Sequence, residues 1–180
     1  MKTEFNDFRE HFHLHLLPKP FKKLLGVFTI VLSLGVGLGN VYVWQTTQLT
    51  PTGTVERYNG SSLGEEADEF EIPTHYAKPM GELLITTHNH VNSLSLIFVC
   101  MGLLFLGSSV VKGQWKTFIA IEPMVSIVTT FGGLWAMRYL HPAFVYLVMV
   151  SAILMYVCFY VMAICVLYDL FVKKAPSPSN

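Results

Sequence analysis

Four histidines, His75, His88, His90 and His141, are the side chains of this sequence best suited to chemistry. A neutral imidazole ligates heme iron, copper or zinc through one ring nitrogen. A b-type heme takes two such rings from facing helices, with basic groups for its propionates. His88 or His90 paired with His141 supplies the rings in this reading, and Arg138 supplies the cation. A mononuclear copper or zinc centre draws instead on His75, His88 and His90. Spacing sets a condition on either centre. His88 and His90 stand at i and i+2, which diverge on a helix, so they share one metal only where the chain is not helical. The competing role for all four is that of polar anchors or hydrogen-bond partners at a membrane interface.

Two of these histidines fall in the run Glu82-Leu-Leu-Ile-Thr-Thr-His-Asn-His-Val-Asn-Ser-Leu-Ser95, which is unusually polar for the start of an apolar stretch. On a helix the run divides into two stripes. Thr86, Asn89, His90 and Ser93 share one, while His88, Asn92 and Ser95 share nearly the opposite one. Unpaired polar groups in hydrocarbon cost several kcal/mol each, so each stripe is expected to meet protein, water or a ligand. Glu122-Pro123 is a candidate proton or cation site, set against simple snorkelling of Glu122 toward Lys116; Asp169 reads as a snorkelling acid too. His11, His13 and His15 alternate and would spread around a helix, which favours a solvated or headgroup-facing surface over metal binding. Cys100, Cys158 and Cys165 lie in apolar runs without a CxxC spacing and read as small buried hydrophobes. Walker, nucleophile-elbow, zincin and Rossmann motifs are all missing, so an autonomous hydrolase or kinase is not expected.

Membrane helices must position these groups. The 180 residues are 52% hydrophobic and 13% charged, with a mean hydropathy of +0.48, against about 25% charged residues in soluble domains. A net charge of zero offers nothing to nucleic acid. Four runs, 24–44, 83–111, 117–139 and 142–171, reach the roughly 20 residues that cross a hydrocarbon core. The expected fold is therefore all-α: an integral membrane four-helix bundle whose short last two connections make spans two to four antiparallel neighbours. Lys2, Arg9, Lys19, Lys22, Lys23, Lys112, Lys116, Lys173 and Lys174 fall on one side, and only Arg57, Lys78 and Arg138 on the other. That imbalance puts both termini in the cytoplasm. Residues 45–81 then form an acidic outer loop. Residues 1–23 form a cytoplasmic leader with Phe5, Phe8, Phe12 and Leu16 at amphipathic-helix spacing, and 172–180 a cytoplasmic tail. The first apolar run is too long for a signal-peptide core, so it is expected to be retained. Gly35 and Gly39 make a small-xxx-small pair, read as tight packing within the bundle in preference to homodimerisation. Gly132-Gly133 suits the same purpose.

The motifs Arg57-Tyr-Asn-Gly60, Glu82-Leu-Leu-Ile-Thr-Thr-His-Asn-His90 and Trp135-Ala-Met-Arg-Tyr-Leu-His-Pro-Ala-Phe144 resemble those of a family of small bacterial four-span membrane proteins. That family is marked by a YxG-type loop motif, a THxH start to span two and an RYxxPxF turn. The similarity covers most of the chain from span one onward. It implies roles for Tyr58, Gly60, Thr87, His88, His90, Arg138, Tyr139, Pro142 and Phe144. Its pattern does not require histidine at 141, which favours His88 and His90 as the essential pair over a bis-histidine heme using His141. Some members travel with c-type cytochrome genes and some carry an elongation-factor label, so the resemblance implies a respiratory-chain setting.

Three functions compete. The first is a membrane redox component that binds heme b, or else copper or zinc, through the outer histidines. The second is a non-catalytic accessory or assembly subunit, in which Asn92 and Ser93 with Gly35 and Gly39 form packing surfaces. The third is a small transporter or channel using Glu122. The expected partners are lipid and a respiratory or cytochrome protein in a hetero-oligomer, within the bacterial inner membrane.

Overall fold

The computed structural model describes residues 13–61 and 75–173. Most of the amphipathic leader (with His11), the acidic stretch from Glu65 to Glu71, and the tail from Lys174 lie outside the described residues. The elements are α1 (Lys19–Thr47), α2 (Pro51–Asn59), α3 (Met80–Gly107), α4 (Gln114–Tyr139) and α5 (Val145–Phe171). Single 3-10 turns at Leu14–Leu16 and Pro142–Phe144 precede α1 and α5. Among the described residues there is no strand. The segments Lys19–Thr47, Met80–Gly107, Gln114–Tyr139 and Pro142–Phe171 are each long and apolar enough to cross a membrane.

Helix boundaries follow local chemistry. α1 begins at Lys19 rather than at 24 because Pro18 and Pro20 occupy its cap and first turn. Their missing N–H groups are ones the first turn leaves unpaired in any case. At its other end Gln48 and Leu49 both take left-handed conformations, with φ of 52° and 54°. The chain reverses there into α2, which the outer-loop reading had not foreseen. Thr50 caps that helix, its hydroxyl accepting from the Gly53 N–H at 3.0 Å and so satisfying one orphan donor.

The bundle is sorted inside out. Phe98, Phe105, Phe159, Met101 and Met162 fill the interior, while Leu34, Leu38, Val128, Val150 and Ile164 point outward. Lipid tails give no hydrophobic drive between helices, so shape and hydrogen bonds hold the bundle. α4 and α5 make the most extensive contact, α3 packs on both, and α1 leans on α5 and α2. Gly133 allows the close approach of α5: a Cβ there would stand 2.9 Å from Val148 Cγ2. One turn further in, the Thr130 and Ser151 hydroxyls meet at 2.7 Å. Gly35, Gly39 and Gly132 differ, since a Cβ on any of them would meet nothing within 4 Å. The intramolecular packing expected of Gly35 and Gly39 is therefore not what they do. α1 turns its Thr29–Val36 edge inward and leaves those two glycines beside it, in the open.

Both ends of the described chain meet on one side. The His15 backbone N–H donates to Asp169 Oδ2 at 3.3 Å, near the end of α5. This is also the lysine-rich side, called inner below.

Candidate functional site

The motif residues converge first at an outer cap. α2 folds back over the bundle, and Asn59 Nδ2 donates to the Met137 carbonyl at 3.3 Å. Gly60 turns the chain with φ of 92°, and on either side of it two loop segments bond: Lys78 N–H donates to Tyr58 O at 3.0 Å and Ser61 N–H to His75 O at 2.9 Å. The Lys78 ammonium lies 5.8 Å over the Tyr58 ring. Burial holds the Tyr58 hydroxyl above its ordinary pKa, with Arg57 beside it pulling the other way. Arg138 Nε donates to the Lys78 carbonyl at 3.5 Å, and its guanidinium lies against the Tyr139 ring. Trp135 Nε1 donates to Thr87 Oγ1 at 3.0 Å, tying α4 to α3. Tyr58, Gly60, Thr87, Arg138 and Tyr139 thus build one structural cap. Glu82 pairs with Lys78 at 3.5 Å.

The histidines do not converge in the same way. α3 is helical throughout Met80–Gly107, so the condition for His88 and His90 to share a metal is not met. His90 Nδ1 donates to the Thr86 carbonyl at 2.8 Å, which leaves Nε2 with an open lone pair. Its ring stands 5.5 Å from that of Phe131. His88 is exposed, with the Asn92 amide 3.3 Å from its Nε2. His75 is held by its backbone against Ser61. His141 caps the turn before α5, its Nδ1 accepting from the Ala143 N–H at 3.1 Å. Phe131, beside His90, lies about 12 Å below the outer end of α4 at 1.5 Å per residue, so His90 and His141 sit at different depths. Among the described residues, no three His, Cys, Asp or Glu gather at a point able to hold one metal ion.

What the geometry does assemble is a polar helix face. His88, Asn89, His90, Asn92 and Ser93 are all exposed, so the two stripes open outward together, with the His90 ring at the edge beside Phe131 of α4. α4 is about 39 Å long, so a 30 Å hydrocarbon core centred on it begins about 5 Å from its ends. The level of His90 is well inside that boundary, and Asn92 and Ser93 are deeper still. Ser93 returns its hydroxyl to the Asn89 carbonyl at 2.7 Å. Among the described residues the Asn89 amide bonds to nothing, and His90 Nε2 and the Asn92 carbonyl oxygen are equally open.

Two groups that read as snorkelling acids are buried instead. Asp169 is fully buried. It accepts from Ser109 N–H at 3.2 Å and Ser109 Oγ at 2.5 Å, and lies 3.5 Å from His15 Nδ1. Lys173 Nζ donates to Ser109 Oγ, and Lys22 Nζ to the His15 carbonyl at 2.7 Å. His15, expected on a solvated surface, is buried. Its neighbour His13 is held below the ordinary histidine pKa by partial burial and by His15. This inner clasp joins the leader, the α3–α4 turn and α5 across 154 residues of sequence, and no local spacing signals it. Glu122 is only 6% exposed and accepts from the Ser126 hydroxyl, so it is held within the bundle rather than snorkelling.

Four apolar helices with an inward core define a multi-pass membrane protein. Residues 48–177 match the Aq_1264_TM family, described as a transmembrane helical domain, and the chain belongs to that family. The match begins at the turn after α1 and takes in the cap, α3, α4 and α5. No curated protein and no solved structure matches the chain.

Proposed function

We propose that this protein is a non-catalytic accessory or assembly subunit of a larger complex in a bacterial inner membrane, with its lysine-rich ends in the cytoplasm. The observation that carries the reading is the α3 face of His88, Asn89, Asn92 and Ser93, exposed at hydrocarbon depth. Polar side chains in lipid require partners, and interhelical hydrogen bonds between such groups bind membrane helices together. The partner is accordingly a membrane helix that offers its own hydrogen-bonding side chains. Asn89→Leu and Asn92→Leu separate this role from a structural one. Both changes should leave the isolated protein as stable as before or more so, while abolishing co-purification with its partner from membranes. Loss of stability with co-purification intact would sink the reading.

A second reading, a redox subunit carrying heme b or a copper or zinc ion, is favoured by one observation. His90 donates from Nδ1 to a backbone carbonyl, the arrangement that fixes a ligating histidine with Nε2 free. With His88 beside Asn92 and His141 capping the turn before α5, the second ligand would come from the partner. Visible spectra of the complex, oxidised and dithionite-reduced, test it. A Soret band lost in His90→Ala supports a shared heme. A flat spectrum without stoichiometric copper or zinc removes the cofactor from the account and leaves the docking role standing.

A further inference from the structure

Glu122 is a buried acid with part of its hydrogen-bonding capacity unused. Ser126 donates to Oε1, and Oε2 has no hydrogen-bond partner. The Cys158 thiol faces the carboxyl from α5, and a thiol is a weak donor at most. Glu122 lines a groove of about 660 Å³ between α4 and α5, within the 300–1,000 Å³ typical of small-molecule sites. The groove opens sideways, between the exposed Phe118, Ile121, Val125 and Val150. From Gln114 to Thr129 it runs about 22 Å along α4, which suits a hydrocarbon chain.

Three hydroxyls along the groove are already committed, and Gln114 and Thr117 stand at its inner, interfacial end. Ser126 serves Glu122, Thr129 donates to the Val125 carbonyl, and Ser151 is bonded to Thr130 and to the Leu147 carbonyl. Oε2 of Glu122 is therefore the unpartnered polar atom of the groove at hydrocarbon depth. It lies about 12 Å in from the inner end of α4. A phosphate-bearing headgroup would have to leave the interface to reach that level, whereas an uncharged hydroxyl needs no such displacement.

We propose that the α4–α5 groove binds a neutral-headed amphiphile dissolved in the bilayer, its chain along α4 and its hydroxyl on Glu122. That chemistry has two sources, a glyceride alcohol of the membrane or a phenolic isoprenoid. The site lies between α4 and α5 rather than on the α3 docking face, and stands or falls independently of it.

The test is photolabelling of the full chain in nanodiscs with two alkyne-tagged diazirine probes, a diacylglycerol and a long-chain alkylphenol. The site predicts labelling of 121–129 and 147–154 that untagged competitor saturates, with the preferred probe naming the source and equal labelling supporting the hydroxyl class alone. Glu122→Leu should weaken labelling by about five-fold, the worth of one hydrogen bond. Leu154→Trp, which fills the groove and keeps Glu122, should remove it, and this variant decides the matter if Glu122→Leu does not fold. Labelling that does not saturate, spreads evenly round the bundle, or ignores both substitutions would overturn the proposal.

Discussion

Asp169 carries more of this molecule's cohesion than its position suggests. An acid near the end of an apolar helix invites a snorkelling interpretation, because the side chain has only a turn or two to travel to water. The structure instead gives Asp169 three protein donors, from Ser109 and the His15 backbone, with the His15 ring beside it. Removing one partner of a buried, hydrogen-bonded pair strands the other. Asp169→Ala should lower the unfolding free energy in detergent by about 3 kcal/mol or more, while Asp169→Asn, which still accepts from Ser109, should lose less. His15→Ala combined with Asp169→Ala should cost less than the two single changes added together, because the pair is lost only once. Strict additivity would show that the clasp is not a unit. Nothing in the sequence announces it: His15 and Asp169 lie 154 residues apart, and only the folding of the leader onto the end of α5 joins them. His88 and His90 are the converse case. Their divergence on a helix is legible from spacing alone, and the structure keeps α3 helical through both.

At the scale of elements, neighbouring glycines separate contact from exposure. Gly133 and Gly132 are adjacent on α4, yet only Gly133 faces Val148. Gly133→Leu should destabilise the bundle by about 1–3 kcal/mol, the usual cost of overpacking. Gly132→Leu should fall within about 0.5 kcal/mol of the parent; thermal unfolding of the two variants side by side checks this. The four spans were legible because length and apolarity alone decide what can cross a bilayer. Helix ends were less legible: the first span was expected to begin at 24, yet α1 starts at Lys19, directly behind Pro18. α2 was not legible, because its sequence, Pro-Thr-Gly-Thr-Val-Glu-Arg-Tyr-Asn, has the turn residues of a loop and is helical only through its Thr50 cap and its packing on Met137 and Lys78. Gly35 and Gly39 fit the small-residue pattern perfectly well, but a pattern on one helix does not say which way that helix turns. Rotation of α1 is set by α5, through contacts no local spacing encodes.

For the whole molecule, burial and polarity disagree along one edge, and the proposed docking role rests on that disagreement. Three helices present apolar surfaces to lipid, as the bilayer requires. Among the described residues, α3 presents exposed amides and imidazoles at hydrocarbon depth, beneath a cap that already accounts for Tyr58, Thr87, Arg138 and Tyr139. These motif residues therefore hold the frame, and the face below them is free for a partner. A photo-crosslinking amino acid at Asn92, activated in native membranes, tests this most directly. The account predicts one discrete protein adduct from Asn92, weaker adduct formation from Leu103 deeper on the same helix, and loss of the Asn92 adduct when Asn89 is changed to leucine. Lipid adducts alone from Asn92, indistinguishable from those at Leu103, would contradict it.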